Sequence, residues 1–145
     1  MTQPVRYAHD HYASGQPTRA QLEDLAARGV KTVINLRGSD EPTEFDEAAE
    51  VQKLGMRYQA LPITGAVDLD RDRVHRFGAL LDQAQPEGAV LIHCASANRV
   101  GAMVALDQMF NRGAGRRDAV ALGRAAGLVG LEPAVEEIAD REGIV

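Results

Sequence analysis

The chain of 145 residues contains one cysteine, no tryptophan, and only 4% aromatic residues. A lone cysteine excludes an internal disulfide and any cysteine-rich metal site. The longest apolar runs are four or five residues, as in Ala89–Ile92, so the sequence offers no segment able to span a bilayer. Nor is there a basic tract longer than the pair Arg116-Arg117, and the formal charge is −5. That balance argues against nucleic-acid binding, which depends on a basic footprint to neutralise phosphates. The first residues, Met1-Thr2-Gln3-Pro4-Val5-Arg6, lack the apolar stretch of a signal peptide, so the expected location is cytoplasmic.

What remains is an ordinary globular composition, 45% hydrophobic and 26% charged, at a length typical of one domain with one real core. No repeat, low-complexity tract or linker divides it, so 1–145 is expected to be a single domain, with 1–16 an irregular surface segment. Thr18 opens a helix with Gln21 as the reciprocal capping partner, and Gly29 suits the left-handed position that ends it. Val30–Leu36 is a buried strand. Pro42 fits the first turn of a second helix running to Gly55. Met56–Leu61 is another strand, and Val74, Phe77, Leu80 and Leu81 recur at helical spacing in a third helix. Ala89–His93 is the most apolar strand and therefore central. Arg99–Phe110 follows as a helix, and two more lie near Asp118–Ala126 and Glu132–Arg141. Strands alternating with helices give an α/β fold, a layered, parallel-rich sheet flanked by helices. Ligands of such sheets bind beyond the carboxyl ends of the strands, where His93 and Cys94 fall.

The segment His93-Cys94-Ala95-Ser96-Ala97-Asn98-Arg99 carries the chemistry. A short loop entering a helix aims backbone N–H groups at one point, and the helix N-terminus adds about half a positive charge. An oxyanion such as phosphate or sulfate would meet donors from Ala95, Ser96, Ala97 and Asn98 and the planar fork of Arg99. Such surroundings favour the thiolate of Cys94, which can attack an electrophile held in the same loop. A buried structural cysteine and a surface arginine are the plainer alternative for either residue taken alone; their coincidence with His93 at a strand-to-helix junction argues for a site.

His93-Cys94 followed by Arg99 resembles the signature of protein tyrosine and dual-specificity phosphatases. Ser14-Gly15-Gln16-Pro17-Thr18, the Leu22/Leu25 helix, and Thr32-Val33-Ile34-Asn35-Leu36-Arg37 with Glu41 resemble the bacterial branch of that family, also labelled beta-lactamase-hydrolase-like. The resemblance covers roughly residues 12 to 128. It implies a cysteine-dependent phosphatase-like fold and hydrolysis of phosphate monoesters, on a phosphorylated protein or a small ester, through a phosphocysteine intermediate and without a cofactor or metal. Cys94 would be the nucleophile, Arg99 and the loop amides the oxyanion holders, and His93 an aid to loop orientation and thiolate stability. An ordinary strand-end histidine is the alternative for His93.

The sequence departs from the phosphatase pattern in three places. Four residues separate Cys94 from Arg99 where most phosphatases have five, a spacing shared with many rhodanese sulfurtransferases, so persulfide chemistry is the first alternative. Ala97 stands where glycine is usual; a positive φ there would cost about 1 kcal/mol, unless the loop shifts that burden to Asn98. Val100 replaces a hydroxyl residue. These changes leave a non-catalytic oxyanion-binding module as the second alternative. Asp68 is the expected leaving-group acid, with Asp70 and Asp72 as rivals, and any of the three could instead cap the following helix. Arg37 and Glu41 either line the same crevice or form a surface ion pair. His9 and His11 have no third partner for a metal.

Overall fold

A computed structural model describes residues 3–145 of the chain. β5 (Ala89–His93) is buried along its whole length, and Val90 and Ile92 face one side of the sheet while Leu91 faces the other. A strand apolar on both faces must be covered on both, and it lies mid-sheet in the order β1-β2-β5-β3-β4. β3 (Val30–Asn35) and β2 (His11–Ser14) flank it in parallel, and β4 (Arg57–Ala60) runs parallel to β3. β1 (Val5–Ala8) closes one edge antiparallel to β2.

That edge corrects the expectation of an irregular segment over 1–16. Residues 5–8 and 11–14 are strands, joined by a tight turn in which Asp10 takes φ 60°, a conformation aspartate tolerates better than most residues. Two four-residue strands with mixed polarity carry too little periodicity to stand out from a loop. Met1 and Thr2, the start of that segment, lie outside the described residues.

α1 (Arg19–Ala27) begins with the expected capping box: Thr18 accepts from the Gln21 amide, and the Gln21 side chain accepts from Thr18. Gly29 ends it at φ 99°. α2 (Glu47–Lys53) is shorter than expected, because Asp46 rather than Pro42 starts it; the Asp46 carboxylate accepts from the Ala49 amide. Residues 38–46 instead form a loop across the carboxyl ends of the strands. α3 (Arg71–Ala84) is capped by Asp70. α4 (Asn98–Asn111), α5 (Arg116–Ala125) and α6 (Glu132–Arg141) complete the chain. Among the described residues no helix is long and apolar enough to cross a membrane.

Leu22, Leu25, Val33, Val51 and Leu91 form the smaller core on the α1–α2 face. The larger core joins Ile34, Phe77, Ile92, Met103 and Leu106 on the opposite face, with α4 at its centre. Nine α4 residues are buried, including Val100, so this helix is wrapped by protein rather than laid on a surface. Gly101 permits that: a Cβ there would lie 2.1 Å from the backbone nitrogen of Leu128. The firmly held α4 fixes the loop that precedes it.

Candidate active site

His93, the last residue of β5, pairs in register with Ser14 of β2 and Asn35 of β3. Its carbonyl accepts from the Leu36 amide at 2.9 Å, and the Cys94 amide donates to Ser14 at 3.3 Å. The chain then turns through Ala95–Ala97 and enters α4. Ala97, not Asn98, takes the left-handed conformation, at φ 73°. The Ala97 side chain fits there because the opposing residue is Gly127, where a Cβ would lie only 2.6 Å from that of Ala97. The Gln16 amide donates to the Ala95 carbonyl, and Gly15 bridges Ser96, so the loop is tied back to the end of β2.

Among the described residues, the amides of Ala95, Ser96, Asn98 and Arg99 donate to no protein oxygen. They are free donors beside the N-terminus of a 14-residue helix. Cys94 is fully buried beneath this loop. The Asn98 side chain turns elsewhere: its Oδ1 accepts from the amides of Val129 (2.9 Å) and Leu131 (3.2 Å), binding the segment after α5 to the loop.

Arg99 is clamped at its outer end. Nη1 donates to Glu41 Oε2 at 2.8 Å and to the Ile63 carbonyl at 2.7 Å, while Nη2 donates to Glu41 Oε1 at 2.9 Å. Nε belongs to none of these bonds. Hydrogen bonding by Glu41 keeps the guanidinium more firmly protonated than usual, against its partial burial and with the charge of Cys94 contributing. Glu41 in turn titrates at about 2 rather than 4.5: the Arg99 bonds come first, outweighing partial burial, with help from the Gly38 amide and Arg37. Arg37 gives its guanidinium to Gln16 Oε1 (2.5 Å), Glu41 Oε1 (3.2 Å) and the Pro42 carbonyl (2.8 Å). Expected either to line the crevice with Glu41 or to pair with it at the surface, Arg37 does pair with Glu41 and stands behind it as a support.

Beneath the loop, His93 Nε2 lies 2.5 Å from Glu47 Oε2, both side chains being buried. An ionised carboxylate only accepts, so Nε2 carries the proton. Nδ1 lies 3.4 Å from the Cys94 carbonyl. Burial pushes the Glu47 carboxyl up, but the His93 and Gln16 hydrogen bonds and the His93 and Arg37 charges together hold it below the usual glutamate range.

A cavity of about 510 Å³ opens over Arg99, walled by Asp40, Glu41, Thr64, Gly65, Asn98 and Leu131. Asp68 sits one side chain behind that wall, accepting from the Thr64 amide at 2.8 Å and the Thr64 hydroxyl at 2.6 Å. Those bonds, with the nearby Arg73 charge, keep it ionised below the ordinary aspartate range. Asp70 is occupied in capping α3, and exposed Asp72 pairs with Arg76. Among the described residues no three histidine, cysteine or acidic side chains cluster as metal ligands would. Gln16, Asp40 and Glu47 were not singled out in the sequence. Gln16 lies within the resembling Ser-Gly-Gln-Pro-Thr stretch, while no local pattern marks the other two.

Comparison with known proteins places this geometry. Residues 6–129 match the family described as DSP-PTPase phosphatase fused to NAD+ kinase. The beta-lactamase hydrolase-like protein of Xylella fastidiosa is 32% identical over 118 residues, covering 79% of this chain and 27% of the relative. The chain thus spans about a quarter of the length of the curated relatives it matches. Among solved structures, Tk-PTP in its active form superposes with a TM-score of 0.76 at 20% identity, over 99% of this chain and 98% of that one. P. aeruginosa TpbA, solved as a cysteine-to-serine variant in complex with pTyr, gives 0.73 at 23% identity over 93% and 81%. Human DUSP28 gives 0.69 at 18% identity over 97% and 93%. The fold is that of tyrosine and dual-specificity phosphatases, and the chain belongs to the DSP-PTPase phosphatase family matched over residues 6–129.

Proposed function

We propose that the chain is a cysteine-dependent phosphatase acting on phosphate monoesters. The supporting observation is the arrangement around Cys94: free loop amides, a helix N-terminus, and an arginine anchored at its outer end that also interacts with Cys94. The Cys94 thiolate attacks phosphorus in line, forming the S–P bond as the bond to the leaving oxygen breaks. Arg99 and the loop amides hold the equatorial oxygens. A proton passes to the leaving oxygen from water, or from Asp68 once its carboxylate has left Thr64 and taken up a proton from solvent. Water then cleaves the S–P bond, releasing inorganic phosphate and restoring the thiolate. His93 stays out of the proton transfer and holds the loop from below.

A phosphorylated protein is compatible with the open cavity, as is a small ester; TpbA was solved in complex with pTyr, itself a phosphate monoester. The test is turnover of p-nitrophenyl phosphate by the wild type and by Cys94→Ser, beside a thiosulfate-plus-cyanide assay. Cysteine-dependent release of nitrophenol is the expected result. Thiocyanate formation with a persulfide mass shift would replace this reading by sulfur transfer, which the four-residue spacing favours. Phosphate binding without either turnover would leave a binding module.

A further inference from the structure

The polar chain beneath the cysteine loop has a direction. Arg37 can only donate, so it fixes the Gln16 amide with Oε1 toward the guanidinium, 2.5 Å away. Gln16 Nε2 therefore faces Glu47 and donates to its Oε1 at 2.8 Å. From the other side His93 donates to Oε2 of the same carboxylate. Arg37 also reaches Glu41, and Glu41 grips Arg99. Two hydrogen-bond donors converge on Glu47, and only a group with two acceptors satisfies both.

We infer that Glu47 is a positioning residue for the phosphatase site, holding His93 under Cys94 on one side and, through Gln16, Arg37 and Glu41, the guanidinium of Arg99 on the other. This rests on the phosphatase reading above. The carboxylate touches no reacting atom. Its work is to end two donor lines, one from His93 and one from Arg37 through Gln16, while Arg37 also bonds the Glu41 that holds Arg99 at the far end of the loop. Buried charges of this kind are costly to leave unpaired, so each link constrains the next.

Directionality supplies a test that mere packing does not. Glu47→Gln keeps the volume but offers one acceptor where two are needed, so an N–H meets an N–H either at Gln16 or, if Gln16 flips, at Arg37. Gln16→Glu creates the opposite fault, two carboxylates face to face. The double variant Gln16→Glu/Glu47→Gln restores the order: Arg37 and the new amide both donate to residue 16, and His93 donates to the amide oxygen. The three variants, with the wild type, are assayed for kcat and KM on p-nitrophenyl phosphate and for inorganic phosphate affinity by calorimetry, well below each Tm.

Each single variant should lose about 10- to 100-fold in kcat/KM, the range seen when outer groups that orient a site are removed, and the double variant should recover most of it. Where a single variant fails to fold, Gln16→Ala breaks the same link without a buried mispairing and should show the same loss. Wild-type turnover and phosphate affinity in Glu47→Gln, or a double variant no better than the worse single one, would overturn the inference while leaving the phosphatase reading intact. A wild type that neither binds phosphate nor turns over the ester would instead overturn that reading, and the inference with it.

Discussion

Replacing Glu41 by glutamine separates two roles that its contacts could serve: holding Arg99 in place, or occupying the arginine in competition with substrate. The variant keeps the side chain's size and removes its charge. In the wild type the carboxylate takes two hydrogen bonds from Arg99, whose side chain is 14% exposed against 26% for Glu41, so solvent weakens the pair only partly. A glutamine can accept one of those bonds and turns an N–H toward the other Nη. Charge-assisted bonds contribute about 1.5–3 kcal/mol each, so after partial screening the loss of orientation is on the order of 2 kcal/mol. If that energy holds Nε toward the loop in the transition state, kcat falls about 10- to 100-fold at 1.36 kcal/mol per decade. Ground-state phosphate affinity should shift less, within about fivefold, because removing a neighbouring negative charge returns about 1 kcal/mol of that loss where the dielectric approaches that of bulk water. Steady-state kinetics on p-nitrophenyl phosphate and calorimetry with inorganic phosphate measure both quantities. Phosphate affinity rising tenfold or more with kcat preserved would refute the clamp and make Glu41 an internal competitor.

Arg99→Lys keeps the charge but not the fork, and should lose at least about tenfold in phosphate affinity; full retention would mean Arg99 is not an oxyanion ligand. Gly127→Ala sets a Cβ 2.6 Å from that of Ala97 at φ 113° and should destabilise the fold by about 2–5 kcal/mol in urea titration. Glu41 titrates near 2 in the folded chain against 4.5 ordinarily, so its stabilisation is complete above about pH 4.5 and is lost as pH falls toward 2. Wild type and Glu41→Gln should accordingly differ by on the order of 1–2 kcal/mol at neutral pH and converge in acid, as followed by chemical denaturation across that range.

The parts of the fold that could be read from the sequence are those whose physics is local. The apolar run Ala89–His93 announces a central strand, Thr18 and Gln21 announce a helix start, and the step from His93-Cys94 to Arg99 announces a strand-to-helix loop. Ala97 likewise bears the strain expected of a residue where glycine is usual. What was hidden depends on partners remote in sequence. β1 and β2 are too short to show a period and become strands by pairing, β2 with β5 nearly eighty residues later. Residues 38–46 look like a helix start at Pro42, yet Glu41 is held by Arg99, 58 positions away, and the helix waits for Asp46. Glu47 reads as one more acid on a helix face; only the fold brings His93 to it. Asp68 was expected beside the reacting group and is engaged by Thr64, a contact made by a turn whose shape no pattern specifies.

The complete burial of Cys94 bears on how the protein would endure oxidants. A thiolate that reacts with peroxide becomes a sulfenic acid, usually rescued when a neighbouring thiol condenses with it. This chain has no second cysteine to do so. Reversal would fall to an external thiol, which must pass the loop of Ala95–Ala97 to reach the sulfur. The same cover that slows recovery also slows the first encounter, so oxidation of this site should be rare and, once it has occurred, long-lived.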